Sequence, residues 1–251
     1  MRQSGFQYPA QDGAYKVKVK SEQSTHNWQN FDHARLQISV GQEYHEGDKL
    51  EAMLDWAAPR FETIDLCVND TLQRFNLIFE RNVSRFRAHD VAREEGDKWV
   101  ERNRSYITRH PNVRVRRWED WKKDLIYKDY KFKIETLYYS DEAFKGAITD
   151  NIYSIWARRQ ATNPELYTSE RFQDFFEMSK IYLLEEITVF ALMFERKTGI
   201  DIYPGTVLFA ATAFQNKSLP GAPEGLSKGR FCRIDFSRNK NAHNRDTAKA
   251  A

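Results

Sequence analysis

The stretch from Arg35 to Leu50, RLQISVGQEYHEGDKL, limits the possible folds more than any other. Leu36, Ile38 and Val40 alternate with Gln37 and Ser39, and Gly41 stops the alternation. A period of two ended by glycine reads as a strand entering a tight loop. Gly47-Asp48 then opens a helical run, Asp48 to Phe61, whose core stripe is Leu50, Met53, Leu54, Ala57 and Ala58. Ile64 to Val68 reads as a second strand, ending at Asn69-Asp70. Strand, helix, strand favours a right-handed parallel crossover, and so an α/β chain with a mostly parallel sheet flanked by helices. Open sheets of this kind place their chemistry at the carboxyl ends of strands, which is where Ser39 stands. On this stretch alone the plainer account of Ser39, a polar strand end, is the favoured one.

The 251 residues suit one large domain. A composition 41% hydrophobic and 30% charged fits a folded chain rather than a disordered one. Cys67 and Cys232 supply neither a disulfide framework nor a zinc box and read as buried thiols. The N-terminus has no apolar signal core, and the longest apolar run, Ile187 to Phe194, is too short to cross a bilayer. The expectation is a cytoplasmic, monomeric protein without membrane contact. Residues 1–30 read as a polar extension containing one edge strand, Ala14 to Val19, with Lys16, Lys18 and Lys20 facing water. Residues 31–236 then form a single catalytic domain, and 237–251 a disordered tail.

Net charge is only +3, so its distribution matters more than its sum. Arg81 to Tyr106 reads as a long charged helix weakened by Gly96. It carries Arg81, Arg85, Arg87, Arg93, Lys98, Arg102 and Arg104. Beyond Pro111, VRVRRWEDWKK reads as a short strand and a helix start, adding Arg116 and Arg117 among other bases. Glu94, Glu95, Asp97 and Glu101 offer helical ion pairs, so a solvated mixed face fits. An excess of bases across two segments, with aromatics interleaved, also fits a nucleic-acid surface.

A later helix, Glu170 to about Lys197, reads as capped by Ser169, closed by Gly199 and apolar almost all round, hence buried. Tyr182, Glu185 and Glu186 lie within it. Four residues advance about 40° past a full turn, so Tyr182 and Glu186 share a face. A phenol beside a carboxylate can bind an ammonium group and shuttle a proton. A buried carboxylate needs a task or a cation, so an arginine across the bundle is the competing account of Glu186. Ile200 to Tyr203 reads as a strand end before Pro204-Gly205, and Val207 to Phe214 continues apolar.

Several motifs are absent. There is no GxxxxGK[ST] or GxGxxG loop, and Tyr44-His45-Glu46 lacks the second histidine of a zinc helix. No GxSxG elbow surrounds Ser39. The Met178-Ser179-Lys180 string lies inside a helix, and no HIGH-type box accompanies it. ATP, NAD and catalytic zinc are not supported, and no cofactor or metal is expected.

Together these pieces resemble a cyclodipeptide synthase, a family similar to the catalytic core of class I tyrosyl- and tryptophanyl-tRNA synthetases but without their ATP motifs. The resemblance rests on Ser39 after the first core strand, Tyr182 and Glu186 within YLLEEI, and Tyr203-Pro204 at a strand end. Gln42 and Pro204 resemble the branch that lacks the family's asparagine and histidine at these positions. The resemblance implies a Rossmann-like fold and sequential use of two aminoacyl-tRNAs, with Ser39, Tyr182, Glu186 and Tyr203 catalytic. It further implies oxyanion-stabilising amides near Gly41-Gln42 and a first pocket drawing on Cys67, Asn69 and Val189. The basic segment would grip tRNA. The histidine of the other branch is missing, and no histidine stands out as a base near Ser39. A non-catalytic tRNA-binding protein and a serine acyltransferase or hydrolase are the alternatives.

Overall fold

A computed structural model describes residues 11–205, 212–217 and 219–239. Its centre is a six-stranded sheet in the order β1-β6-β5-β2-β3-β4. The strands are β1 (Tyr15–Val19), β2 (His33–Ile38), β3 (Thr63–Val68), β4 (Val113–Arg117), β5 (Ile200–Tyr203) and β6 (Phe231–Arg238). Every neighbouring pair is parallel except β1 with β6. Eight α-helices among the described residues cover it: α1 (Gly47–Ala57), α2 (Arg74–Arg81), α3 (Arg85–Arg102), α4 (Arg104–Thr108), α5 (Trp118–Lys122), α6 (Tyr127–Ser140), α7 (Glu142–Thr162) and α8 (Phe172–Arg196). The expected α/β architecture is present, with β2 and β3 paired in parallel across α1.

All six residues of β2 are buried, as a parallel strand covered on both faces requires. Leu36 and Ile38 enter one apolar cluster with Leu50, Met53 and Leu54 of α1 and Trp99 of α3. Arg35 and Gln37 point to the other face, under α8: Arg35 lies over the Phe194 ring and Gln37 Nε2 reaches Met193 Sδ. Arg35 is held by Asp201 of β5, Nη2 to Oδ2 at 3.0 Å, and Gln37 Nε2 donates to Asp201 Oδ1 at 2.5 Å. This buried polar seam ties β2 to β5 one step below the strand ends. Removing one charge of such a pair is far more costly than replacing both.

Several expected boundaries move. α1 stops at Ala57 rather than Phe61, because Pro59 has no N–H to continue the ladder. The charged run from Arg81 is three helices, not one. Asn82 takes a left-handed conformation, φ 51°, and closes α2. Gly96 is a site of close approach rather than a weak point: a Cβ there would sit 2.5 Å from Asp70 Cβ and 2.7 Å from Arg117 Nη2. Ser169 does not cap α8 but begins a short 3-10 turn before it.

Residues 15–30 belong to the sheet domain rather than to an extension. β1 is an edge strand, as its alternation suggested, and Trp28 packs edge-on against Trp56 and Phe61. At the other end β6 runs past Phe236 to Arg238, and Asn239 Nδ2 donates to the Gln11 and Gly13 carbonyls. The remainder of the expected tail, 240–251, and most of the apolar stretch 207–214 lie outside the described residues. Among the described residues no helix is long and apolar enough to cross a membrane.

Candidate active site

Ser39 is the first residue after β2 and opens a tight turn. Gln42 N–H donates to Ser39 O at 3.2 Å, and Gly41 adopts φ 87° at the position where only glycine is unstrained. The turn aims Ser39 across to β5. Its Oγ is 3.3 Å from the Tyr203 hydroxyl, which in turn is 3.0 Å from the hydroxyl of Tyr44. Gly205 permits the chain to fold back over Tyr203, since a Cβ there would lie 2.4 Å from the ring. Pro204 lies between them, half-buried. The closure of this turn corrects one expectation. The Gln42 amide is engaged by Ser39 O, so of the two amides considered for an oxyanion only that of Gly41 is left.

Tyr182 and Glu186 both face this space from α8. Glu186 is buried, its Oε2 has no hydrogen-bond partner, and burial pushes its carboxyl up to about 8. Among the described residues no arginine pairs with it. Burial raises the Tyr182 phenol, and the charges of Glu186 and Tyr203 raise it further. Tyr203 is raised by burial, then by Tyr44, with Glu186 adding to the effect. These groups are therefore electrostatic neighbours. Gln73 Nε2 approaches the Tyr182 hydroxyl at 3.5 Å.

Glu185 has opposite surroundings. Arg74 Nη1 and Trp118 Nε1 donate to its Oε1 at 2.9 and 2.8 Å, and Lys122 Nζ lies at 3.6 Å. Burial alone would raise this carboxyl, but Arg74, Lys122 and Trp118 outweigh it and hold it below the usual range.

The pocket candidates divide. Asn69 follows β3 on the Ser39 side; its Nδ2 donates to Gln37 Oε1 at 3.3 Å and its buried Oδ1 has no partner. Cys67 of β3 and Val189 of α8 are fully packed in one apolar cluster, and burial pushes the Cys67 thiol up. Val189 follows Glu186 by three residues, so it shares the helix face directed at the site.

Arg85, Arg87, Arg93 and Lys98 are exposed and pair with no carboxylate among the described residues. Phe86, 89% exposed, stands between the first two. Arg81, Arg102 and Arg104 make surface pairs with Glu95, Glu46 and Glu101. Arg116 lies over the Trp121 ring at 5.2 Å. Arg117 departs from expectation. Its guanidinium turns inward to Asp70, to Asp97 at 2.6 Å and to the Arg93 carbonyl at 3.1 Å, so it links α3 to β4.

Sequence reasoning missed Tyr44 and His45, which appeared only as a failed zinc motif. It also missed the Arg35–Gln37–Asp201 seam, whose one signal was two polar residues within a strand pattern. His45 is fully buried, and its Nδ1 accepts the Ser39 N–H at 2.9 Å. Burial holds this imidazole down at about 3, so it is neutral. Among the described residues no cluster of His, Cys, Asp and Glu could hold a metal ion.

Known proteins share this framework. A cyclodipeptide synthase from Fluoribacter dumoffii superposes with a TM-score of 0.76 at 23% identity, over 90% of this chain and 100% of its own. A synthase from Candidatus Glomeribacter gigasporarum, bound to Phe-tRNAPhe, gives 0.61 at 18% identity, over 82% and 88%. A Mycobacterium tuberculosis protein, described as demonstrating that cyclodipeptide synthetases are related to type I tRNA synthetases, gives 0.61 at 16% identity, over 92% and 96%. At these identities the likeness speaks for the fold. No curated protein matches the sequence. Residues 15–211, most of the chain and all the elements that build the Ser39 site, match the cyclodipeptide synthase family, and the protein belongs to it.

Proposed function

We propose that the protein joins two aminoacyl groups, delivered by tRNA, into a cyclic dipeptide, with Ser39 carrying the growing chain. The amino-acid ester of tRNA is already activated, so no ATP site is needed. Ser39 Oγ attacks the ester carbonyl of the first aminoacyl-tRNA; the C–O bond to the tRNA 3′ oxygen breaks, and that oxygen takes up the serine proton. The amine of the second aminoacyl-tRNA then attacks the Ser39 ester, and the dipeptide returns to Ser39 by a second transesterification. Finally the dipeptide's own amine attacks its ester carbonyl and releases Ser39 as a hydroxyl. That closure is intramolecular, so correct folding of the bound chain supplies a large effective concentration.

Glu186 and Tyr182 hold the first residue's α-amino group. An ammonium ion there gives the unpartnered carboxylate the cation it lacks. Tyr203, a phenol held protonated by its surroundings, acts as hydrogen-bond donor or proton carrier at Ser39 rather than as a free base. Asn69 and Val189 border the first side-chain pocket. Arg85, Arg87, Arg93 and Lys98 contact tRNA phosphates in a monomeric, cytoplasmic enzyme, with Phe86 offering an aromatic face for an unpaired base.

The observation that carries this reading is the convergence of Ser39, Tyr203 and a cation-seeking Glu186 from three separate elements. Intact-mass analysis after mixing with charged tRNAs tests it. An aminoacyl adduct on the wild type and none on Ser39→Ala is the expected result. No adduct and no cyclic dipeptide across all charged tRNAs would leave a tRNA-binding protein without catalysis.

A further inference from the structure

The short 3-10 turn Glu43–His45 touches both of the hydroxyl-bearing residues that meet at the site, and nothing in the proposed reaction accounts for it. Its first contact is with Ser39. The imidazole of His45 lies behind the serine, with Nδ1 2.9 Å from the Ser39 amide nitrogen. Nδ1 is also 3.3 Å from the Ser39 carbonyl, but a proton on it would point at an N–H, so the ring is the acceptor and carries its hydrogen on Nε2. The second contact is with Tyr203. The Tyr44 hydroxyl meets the Tyr203 hydroxyl at 3.0 Å, and the two rings stand edge to face with centroids 6.1 Å apart.

This turn is itself fastened. Trp99 Nε1 donates to the His45 carbonyl at 3.0 Å, and Asn103 Nδ2 reaches Glu46 at 3.2 Å. Trp99 is on α3 and Asn103 directly follows it, so the helix that carries the exposed bases also braces the turn from behind. A serine just past a strand end has a free χ1, and a tyrosine hydroxyl can rotate its proton. His45 holds the backbone from which the serine Oγ swings, Tyr203 meets that Oγ, and Tyr44 gives the phenol a second hydroxyl partner.

We propose that Tyr44 and His45 are positioning residues for the acyl-transfer reaction: His45 sets the backbone at Ser39, and Tyr44 orients the Tyr203 hydroxyl toward Ser39 Oγ. The chain then needs no histidine after Tyr203, because a second tyrosine from the opposite side of the turn fixes the phenol's proton. Ser39, Tyr203 and Tyr44, all three half-buried, also form one continuous chain of hydroxyls at the site. The inference rests on Ser39 being the acylated residue.

The test measures the rate of aminoacyl loading onto Ser39 by intact mass, using the pooled aminoacylated tRNAs of a bacterium as probe, at several tRNA concentrations. Tyr44→Phe removes one hydroxyl and keeps the ring. Its maximal loading rate should fall about tenfold, the worth of one aligned hydrogen bond, while the tRNA concentration for half-maximal loading stays the same. His45→Asn retains an acceptor where Nδ1 sits and should load faster than His45→Leu, which has none. Circular dichroism and thermal unfolding of all three identify any variant that has lost its fold, and the Tyr44→Phe and His45→Asn results then decide. Loading by Tyr44→Phe at the wild-type rate, or equal loading by folded His45→Asn and His45→Leu, would overturn the assignment. A wild type that forms no adduct would instead refute the acyl-serine reading itself.

Discussion

Glu185 and Glu186 are neighbours on α8 and equally buried, at 6% and 7% exposure, yet they meet opposite environments. A helix turns about 100° per residue, so adjacent side chains leave on different faces. Glu185 is directed at α2 and α5, where Arg74, Trp118 and Lys122 satisfy it. Glu186 is directed at the strand ends, where burial is uncompensated. One carboxylate ties helices together and the other keeps a buried oxygen without a hydrogen-bond partner. The basic residues repeat the contrast. Arg117 is closed into a clamp with Asp70 and Asp97, while Arg85, Arg87 and Arg93 are exposed and have no carboxylate partner among the described residues. Burial alone does not separate architecture from chemistry; satisfaction of the buried group does.

The largest effect should come from breaking the satisfied member. Glu185→Ala strands the Arg74 guanidinium and the Trp118 indole N–H, and urea unfolding should show a loss of about 3–5 kcal/mol. A loss no larger than that of an ordinary surface substitution would mean that the Arg74 pair does not bear on stability.

The other glutamate should respond in the opposite sense. Its folded value of about 8 exceeds the ordinary 4.5, so between these values the unfolded chain binds fewer protons than the folded one. Stability attached to the neutral Glu186 is complete at low pH and declines as pH rises through that window. Glu186→Gln should match the wild type near pH 4 and exceed it increasingly up to pH 9, by on the order of a few kcal/mol. Denaturation curves at both ends of the range would reveal it, and a constant difference would mean the carboxylate is not isolated.

The same Glu186→Gln variant should keep its fold at neutral pH while cyclic-dipeptide output, read by mass spectrometry of the reaction, drops about 100-fold. Full output would remove the distinction between the two glutamates.

Among the bases the effects are smaller. Reversing Arg85, Arg87 and Arg93 to Glu should weaken tRNA binding by about tenfold or more at low salt and flatten its salt dependence. Arg117→Met should lower thermal stability and leave the salt slope of binding intact. Filter binding across a salt series separates the two, and equal slopes would merge the classes.

Much of this was legible in advance because local patterns carried it. The alternation through Leu36 and Ile38, the Gly41 stop and the α1 stripe mark a strand–turn–helix unit without any partner. The spacing of Tyr182 and Glu186 marks a shared helix face. The Gln42 amide was misjudged because its acceptor is its own turn, and Gly96 because the group that excludes a side chain there, Asp70, comes from another strand's end. Tyr44 and His45 escaped notice because their meaning lies in what they touch.

What the chain order alone determined is the kind of architecture and the candidates for chemistry: periodicity is a local property, and each helix or strand face follows from backbone geometry. Only the tertiary structure decided which buried carboxylate has a partner, which arginines remain open, and which hydroxyls stand in line at Ser39. Those are distances between residues on different elements, 164 positions apart for Ser39 and Tyr203, and no pattern within a single element encodes them.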